Sequence, residues 1–258
     1  MNKKLKFSQL IVLIGFFFPA ISHSGDSLYE QVVGNATDLQ SAKSLYREVH
    51  CGAANELVSD VFYQSTEGNL IAHKSLDYKS GRTTPSFIQA YTLSQERIDV
   101  KFDQTTLTMS MINRDGKESN QQYQVSTLDD LPVVIDAGFD IFIQDNWPTL
   151  MSDKTIGFQF PLVSRNQLIS LQIKKSVCQY ETNTDQCFTL EPSNWLFRML
   201  ASPIELGYDL TLMRLNRYRG LSNINDADGA GLVVDIKYQY QQADVPCSVV
   251  KDPKSDTS

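Results

Sequence analysis

The sequence is poor in the residues that usually carry chemistry: three histidines, four cysteines and two tryptophans stand among 258 residues. It contains no Gly-x-Ser-x-Gly elbow, His-Glu-x-x-His pair, phosphate-binding loop or dinucleotide-binding glycine fingerprint. Basic residues are also in deficit. The chain has 23 lysines and arginines against 30 acids, a net charge of −7. Such a chain repels nucleic acid and anionic lipid surfaces at long range, so no nucleic-acid partner is expected. Long apolar runs are nearly absent. The single one, Leu10 to Phe18, is about half the ~20 residues of a spanning helix, so no membrane span is expected in the mature chain.

That run has a neighbourhood of its own. Lys3, Lys4 and Lys6 precede it, Pro19 breaks it, and small residues, Ser22 and Ser24, follow. A basic start, a short apolar core and a small-residue exit form a secretory signal. Residues 1–24 are therefore read as a cleavable signal peptide, 25–250 as one β-rich domain and 251–258 as a disordered polar tail. Cleavage leaves 234 residues and, with three lysines gone, a net charge of −10. The mature chain is expected to be soluble and periplasmic. No cysteine near the cleavage region offers a site for lipid attachment.

All four cysteines lie beyond the signal, and an even number in an exported chain suggests disulfides. Cys178 and Cys187 flank a polar stretch that reads as a hairpin loop, which leaves Cys51 for Cys247. A zinc site is not expected, because no cysteine pair has knuckle spacing and His50, adjacent to Cys51, points to the opposite side of a strand. No metal or cofactor is assigned. Asn223, Asn225, Asp226 and Asp228 resemble a calcium loop, but with Gly229 as its glycine the first ligand would be Ile224, which has no side-chain oxygen.

Most of the chain alternates with a period of two. Ile98, Val100 and Phe102 interleave with Arg97, Asp99 and Lys101, and Leu107, Met109 and Met111 with Thr106, Thr108 and Ser110. Turns are supplied by Glu67-Gly68-Asn69, Asp115-Gly116 and Asp228-Gly229. Three stretches have helical spacing: loosely Asp26 to Arg47, clearly Val133 to Met151 with a restart at Pro148, and Ser193 to Ala201. The expected fold is mainly β, of the α+β kind. It is a curved antiparallel sheet, an open barrel or half-barrel, with two inserted apolar helices packed on its concave face.

Candidate binding residues follow from that arrangement. Phe139, Phe142, Trp147, Trp195 and Phe197 could line a cavity for an acyl chain, or could be plain core. Arg217 and Arg219 share a strand face with Arg214 nearby. They could fork onto a carboxylate or phosphate, or pair with neighbouring acids such as Glu205, Asp209 or Asp226. His73 sits in an alternating strand and reads as a surface or edge residue. No catalytic residue is assigned.

The stretch Asn194-Trp195-Leu196-Phe197-Arg198 through Gly220-Leu221-Ser222-Asn223-Ile224, with Gly138-Phe139-Asp140 and Asn146-Trp147, resembles conserved hypothetical secreted proteins of proteobacteria, a group with no known function. The order of helix, hairpins, inserted helices and further strands is similar to that of periplasmic lipoprotein carriers, although no motif of theirs is matched. Three functions are thus in view. The first is a periplasmic binding or carrier-like protein that holds an apolar, lipid-like ligand or a protein segment in a half-barrel. The second is an envelope scaffold or assembly partner without a small ligand. The third, least supported, is a hydrolase using His73 or scattered acids.

Overall fold

The computed structural model describes residues 29–52, 58–125, 131–198, 202–226 and 229–243. The proposed signal peptide and tail, residues 1–24 and 251–258, lie outside them, as do Phe197's side chain and Cys247. Fourteen strands run in chain order: β1 (Tyr29–Asp38), β2 (Ser44–Cys51), β3 (Val58–Ser65), β4 (Leu70–Asp77), β5 (Ser86–Tyr91), β6 (Arg97–Phe102), β7 (Thr106–Ile112), β8 (Glu118–Gln124), β9 (Ile156–Leu162), β10 (Gln167–Ser176), β11 (Asp185–Pro192), β12 (Ile204–Asp209), β13 (Leu215–Asn225) and β14 (Gly231–Ala243). Helices α1 (Gly138–Asp145) and α2 (Trp147–Met151) lie between β8 and β9, and α3 (Trp195–Arg198) lies between β11 and β12.

All the strands belong to one antiparallel sheet in the order β8 to β1, then β14 down to β9. Consecutive strands are neighbours, as short turns dictate. The chain's two ends meet as well: β1 pairs with β14 from Tyr29↔Ala243 to Asp38↔Val234. That pairing moves the sheet's open seam to β8 and β9, where the sequence carries helices instead of a turn. The sheet is curled and unclosed. The turn glycines expected from sequence, Gly68, Gly116 and Gly229, all have positive φ.

Two expectations are corrected. Residues 26–47 are not helical where described, but form β1 and the start of β2. Their loose apolar spacing is overridden by ladders on both sides of β1, to β14 and to β2. The helix expected from Val133 begins only at Gly138. Val133 and Val134 instead run beside β9, where the Val134 N–H donates to the Gln159 carbonyl at 2.9 Å. This extended piece satisfies part of β9's outer edge. Gly138 then passes so close to the Thr83 carbonyl that a Cβ there would overlap it. The expected restart near Pro148 is present, since α2 follows α1 after Asn146.

The core falls into two clusters. One joins β1–β7, the inner side of β13–β14 and Val133, Ile135 and Val163. The other packs α1 and α2 onto β9–β13 through Phe142, Ile143 and Leu150 against Phe158, Phe188, Leu206 and Tyr208. Tyr218 and Tyr238 pack against both.

Candidate functional site

Where the two apolar clusters meet, the interior turns polar. On β2, period-two alternation directs Tyr46, Glu48 and His50 to one face, and Glu48 is 4% exposed. Gly34 of β1 makes room for it: a Cβ there would come within 2.7 Å of the Glu48 Cγ and 2.8 Å of the Tyr238 ring. The His50 Nε2 lies 3.1 Å from the Glu48 carboxylate, and Tyr238 donates to the same group. Tyr46, Tyr63, Tyr218 and Tyr238 all feel the Glu48 charge. Burial first, then that carboxylate, pushes each phenol well above its ordinary pKa. The phenols therefore stay protonated: Tyr238 donates to Glu48 and Tyr218 to the Leu221 carbonyl.

The far part of β13 secures this layer. Its register is irregular between Leu221 and Asn225. Ser222 meets the Tyr46 hydroxyl at 2.8 Å, and the Asn223 amide donates to the Tyr63 hydroxyl at 3.1 Å. The Asn223 carbonyl accepts from Gln89 and Tyr91, each at 3.2 Å. On the helical side, Lys74 lies 2.6 Å from Asp136, just before α1. Asp140 in α1 accepts from the Tyr208 hydroxyl at 2.8 Å and from Gln144 at 3.0 Å. Burial raises the Asp140 pKa to about 6, against the lowering effects of the Tyr208 bond and of His50.

Of these polar residues the sequence singles out His50 and Asn223, and Asp140 and Ser222 only within the stretches that carry the resemblance; Glu48 and the tyrosines around it are not singled out. Tyr46, Glu48 and His50 do stand at every second position, but Leu45, Val49 and Cys51 make the other face of β2 equally apolar. Its inward side was therefore ambiguous until β1 and β3 paired with it.

The residues expected to bind a ligand whose side chains are described lie in three separate places. Phe139, Phe142 and Trp147 are inside, where Phe142 meets Phe158 at 5.1 Å between ring centroids and Trp147 meets Phe188 at 5.2 Å. These are core contacts between the helices and the sheet. Trp195 is elsewhere, 62% exposed at the start of α3. Residues 199–201 of the helix expected over Ser193–Ala201 lie outside the described residues. Arg217 and Arg219 are on the outer face, because Tyr218 between them points into the core. Arg217 forks onto Asp235 at 2.8 and 2.6 Å and stacks 4.0 Å from the Tyr180 ring. Arg219 bonds Glu205 at 3.0 Å. Glu205 was among the acids considered from sequence, and Asp235 was not. Glu205 of β12 and Asp235 of β14 stand opposite Arg219 on either side of β13.

His73 is also on the outer face, stacked on Phe62 at 4.7 Å and bonded to Asp60 at 2.7 Å. Among the described residues no group of three or more His, Cys, Asp or Glu converges as a metal site. The Cys178–Cys187 disulfide is present. Cys51 is disulfide-bonded as well, while Cys247, its expected partner, lies outside the described residues. No described helix is long and apolar enough to cross a membrane.

An unclosed antiparallel sheet curled around helices belongs to the β-barrel-like class of folds. Among solved structures the chain is similar to a β-barrel-like protein of the domain of unknown function DUF1849 from Brucella abortus. The TM-score is 0.51 at 8% identity, over 84% of this chain and 99% of that one, a likeness of fold. No family model matches the sequence, and no curated protein is significantly similar to it.

Proposed function

We propose that this is an exported, periplasmic binding protein of the carrier type, holding an apolar, lipid-like ligand or a protein segment in its open half-barrel. The supporting observation is the concave face beside the open edge. Ile98, Phe102, Met111 and Tyr123 pack on the core there yet remain only partly buried. Gln121, opposite Met109 in the ladder and so on that same face, is exposed. An apolar concave surface that is incompletely covered next to an open seam suits an acyl chain. Native mass spectrometry and lipid extraction of the purified chain test this directly. A co-purifying or added fatty acyl ligand is expected to bind, and Met111→Asp should weaken binding at least about tenfold, since it places a charge on apolar surface. A chain that binds no such ligand, or a Met111→Asp variant that binds equally well, overturns the reading.

A second reading, an envelope assembly partner, is favoured by the edge of β8. The hairpin bonds Asn113–Lys117 and Thr105–Val125 place the odd-numbered residues of β8 against β7. The peptide groups of Glu118, Asn120 and Gln122 then face outward, and among the described residues no strand pairs with them. The strand has neither lysine nor proline to blunt it. Strand addition by a partner would use this edge. Photocrosslinking in cells from position 120 is expected to capture one defined partner, and none after full coverage of the edge counts against it.

A further inference from the structure

The acidic charge of this chain is unevenly placed. Residues 154–180 hold Lys154, Arg165, Lys174 and Lys175 and not one acid, although the whole chain carries −7. Residues 192–204 likewise contain Arg198 and no acid. Parts of these stretches meet at one end of the sheet, while Lys154 and Lys175, the latter 3.5 Å from Asp153, lie toward the other end. Leu171 of β10 pairs with Pro192 of β11, and the Ser193 N–H donates to the Ser170 carbonyl at 2.9 Å. The β9–β10 turn, with exposed Arg165, is therefore at the same rim as α3. Glu191 is the acid nearest to this rim in sequence, and Lys174 at 2.9 Å and Arg198 at 3.1 Å share it with Gln172. Two cations on one carboxylate leave positive charge over.

From this basic rim project two large apolar side chains, Trp195 at 62% exposure and Leu196 at 53%. They are held in place, because the Asn194 side chain accepts from the Leu196 N–H at 2.9 Å and Arg198 is tied to Glu191. We infer that this rim docks on a phospholipid bilayer, with Trp195 and Leu196 entering the headgroup region and Arg165, Lys174 and Arg198 facing lipid phosphates. An indole is suited to that boundary, with an apolar body and one donor. Apolar insertion and basic charge are each weak anchors, and together they give reversible attachment. The chain's overall negative charge opposes this only at long range, since screening at physiological salt acts beyond about 8 Å. The inference rests on the carrier reading, because a carrier of a lipid-like molecule must meet the membrane that supplies it.

The test uses the purified chain and vesicles of phosphatidylethanolamine with a minor share of phosphatidylglycerol, read by co-sedimentation and tryptophan emission. The wild type is expected to sediment with the vesicles, its emission shifting to the blue, and to be released as salt is raised. Trp195→Ser should lower partitioning by about tenfold, the loss of one largely buried apolar side chain. Trp147, inside the core, reports that the variant is folded. The inference is overturned if the wild type does not bind, if Trp195→Ser binds equally well, or if the rim crosslinks only to a protein. Vesicle binding without a bound acyl ligand removes the carrier reading and leaves the docking surface. A bound ligand without vesicle binding does the reverse.

Discussion

Asp140 shows what the interior of this curled sheet demands of an ionisable side chain. Its carboxyl is buried under α1 and titrates near 6 instead of 3.8. Below about pH 4 the folded and unfolded chains both carry the proton. Between pH 4 and 6 the unfolded chain has released it while the folded chain keeps it, so stability falls as pH rises through this window. Above 6 the full penalty of about 3 kcal/mol applies. Asp140→Asn is therefore expected to be about 2–3 kcal/mol more stable than the wild type at pH 8 and no more stable at pH 4, as measured by urea unfolding. A difference that does not change with pH would refute burial as the cause. Glu48, also buried, has Tyr238 and His50 as hydrogen-bond partners.

The β10–β11 hairpin illustrates how one element can be stapled from within. Its loop closes through Cys178–Cys187, nine residues apart. The staple holds Tyr180 over Gly207, where a side chain larger than hydrogen would collide with the Tyr180 hydroxyl. There the ring carries the Arg217 guanidinium, and its hydroxyl donates to Asp185 at 2.9 Å. A loop of this size contributes about 2.5 kcal/mol in the chain-entropy model. Cys178→Ser should lower the melting temperature by roughly 5–10 °C for a domain of this size, measured by calorimetry. An unchanged Tm would show that the Tyr180–Arg217–Asp235 network alone holds the hairpin.

Taken as a whole, the molecule depends on one long-range event. β14 lies between β1 and β13, so the last described strand joins the two halves of the sheet. All other neighbouring strands follow one another in the chain and can pair locally. Contacts that close so large a loop form late and slowly. A chain ending at residue 230 is expected to lose cooperative unfolding, because β1 and β13 would expose unpaired edges and Val234 and Ile236 would leave the core. Circular dichroism and urea titration check this. A sharp, single transition in the truncated chain would mean that each half folds alone.

Much of this arrangement was legible beforehand. Strict alternation at Ile98–Phe102 and Leu107–Met111 means one wet and one buried face, and Asp115-Gly116 admits the positive φ of its turn, so a meandering antiparallel sheet follows from local rules. The apolar spacing of Phe139, Phe142 and Trp147 likewise suffices for an inward-facing helical insertion. Other features depend on partners distant in sequence. The apolar spacing of residues 26–47 suits helix or strand, and pairing with β14, some two hundred residues on, decides for strand. Glu48 is an ordinary acid in the sequence and becomes an interior charge only when Gly34, Tyr63 and Tyr238 converge on it. Arg217 and Trp195 looked alike as binding residues. Pairing with Asp235 fastened the first on the outer face, while the second stands in solvent at the start of α3, because burial is a property of what surrounds a residue and not of the residue.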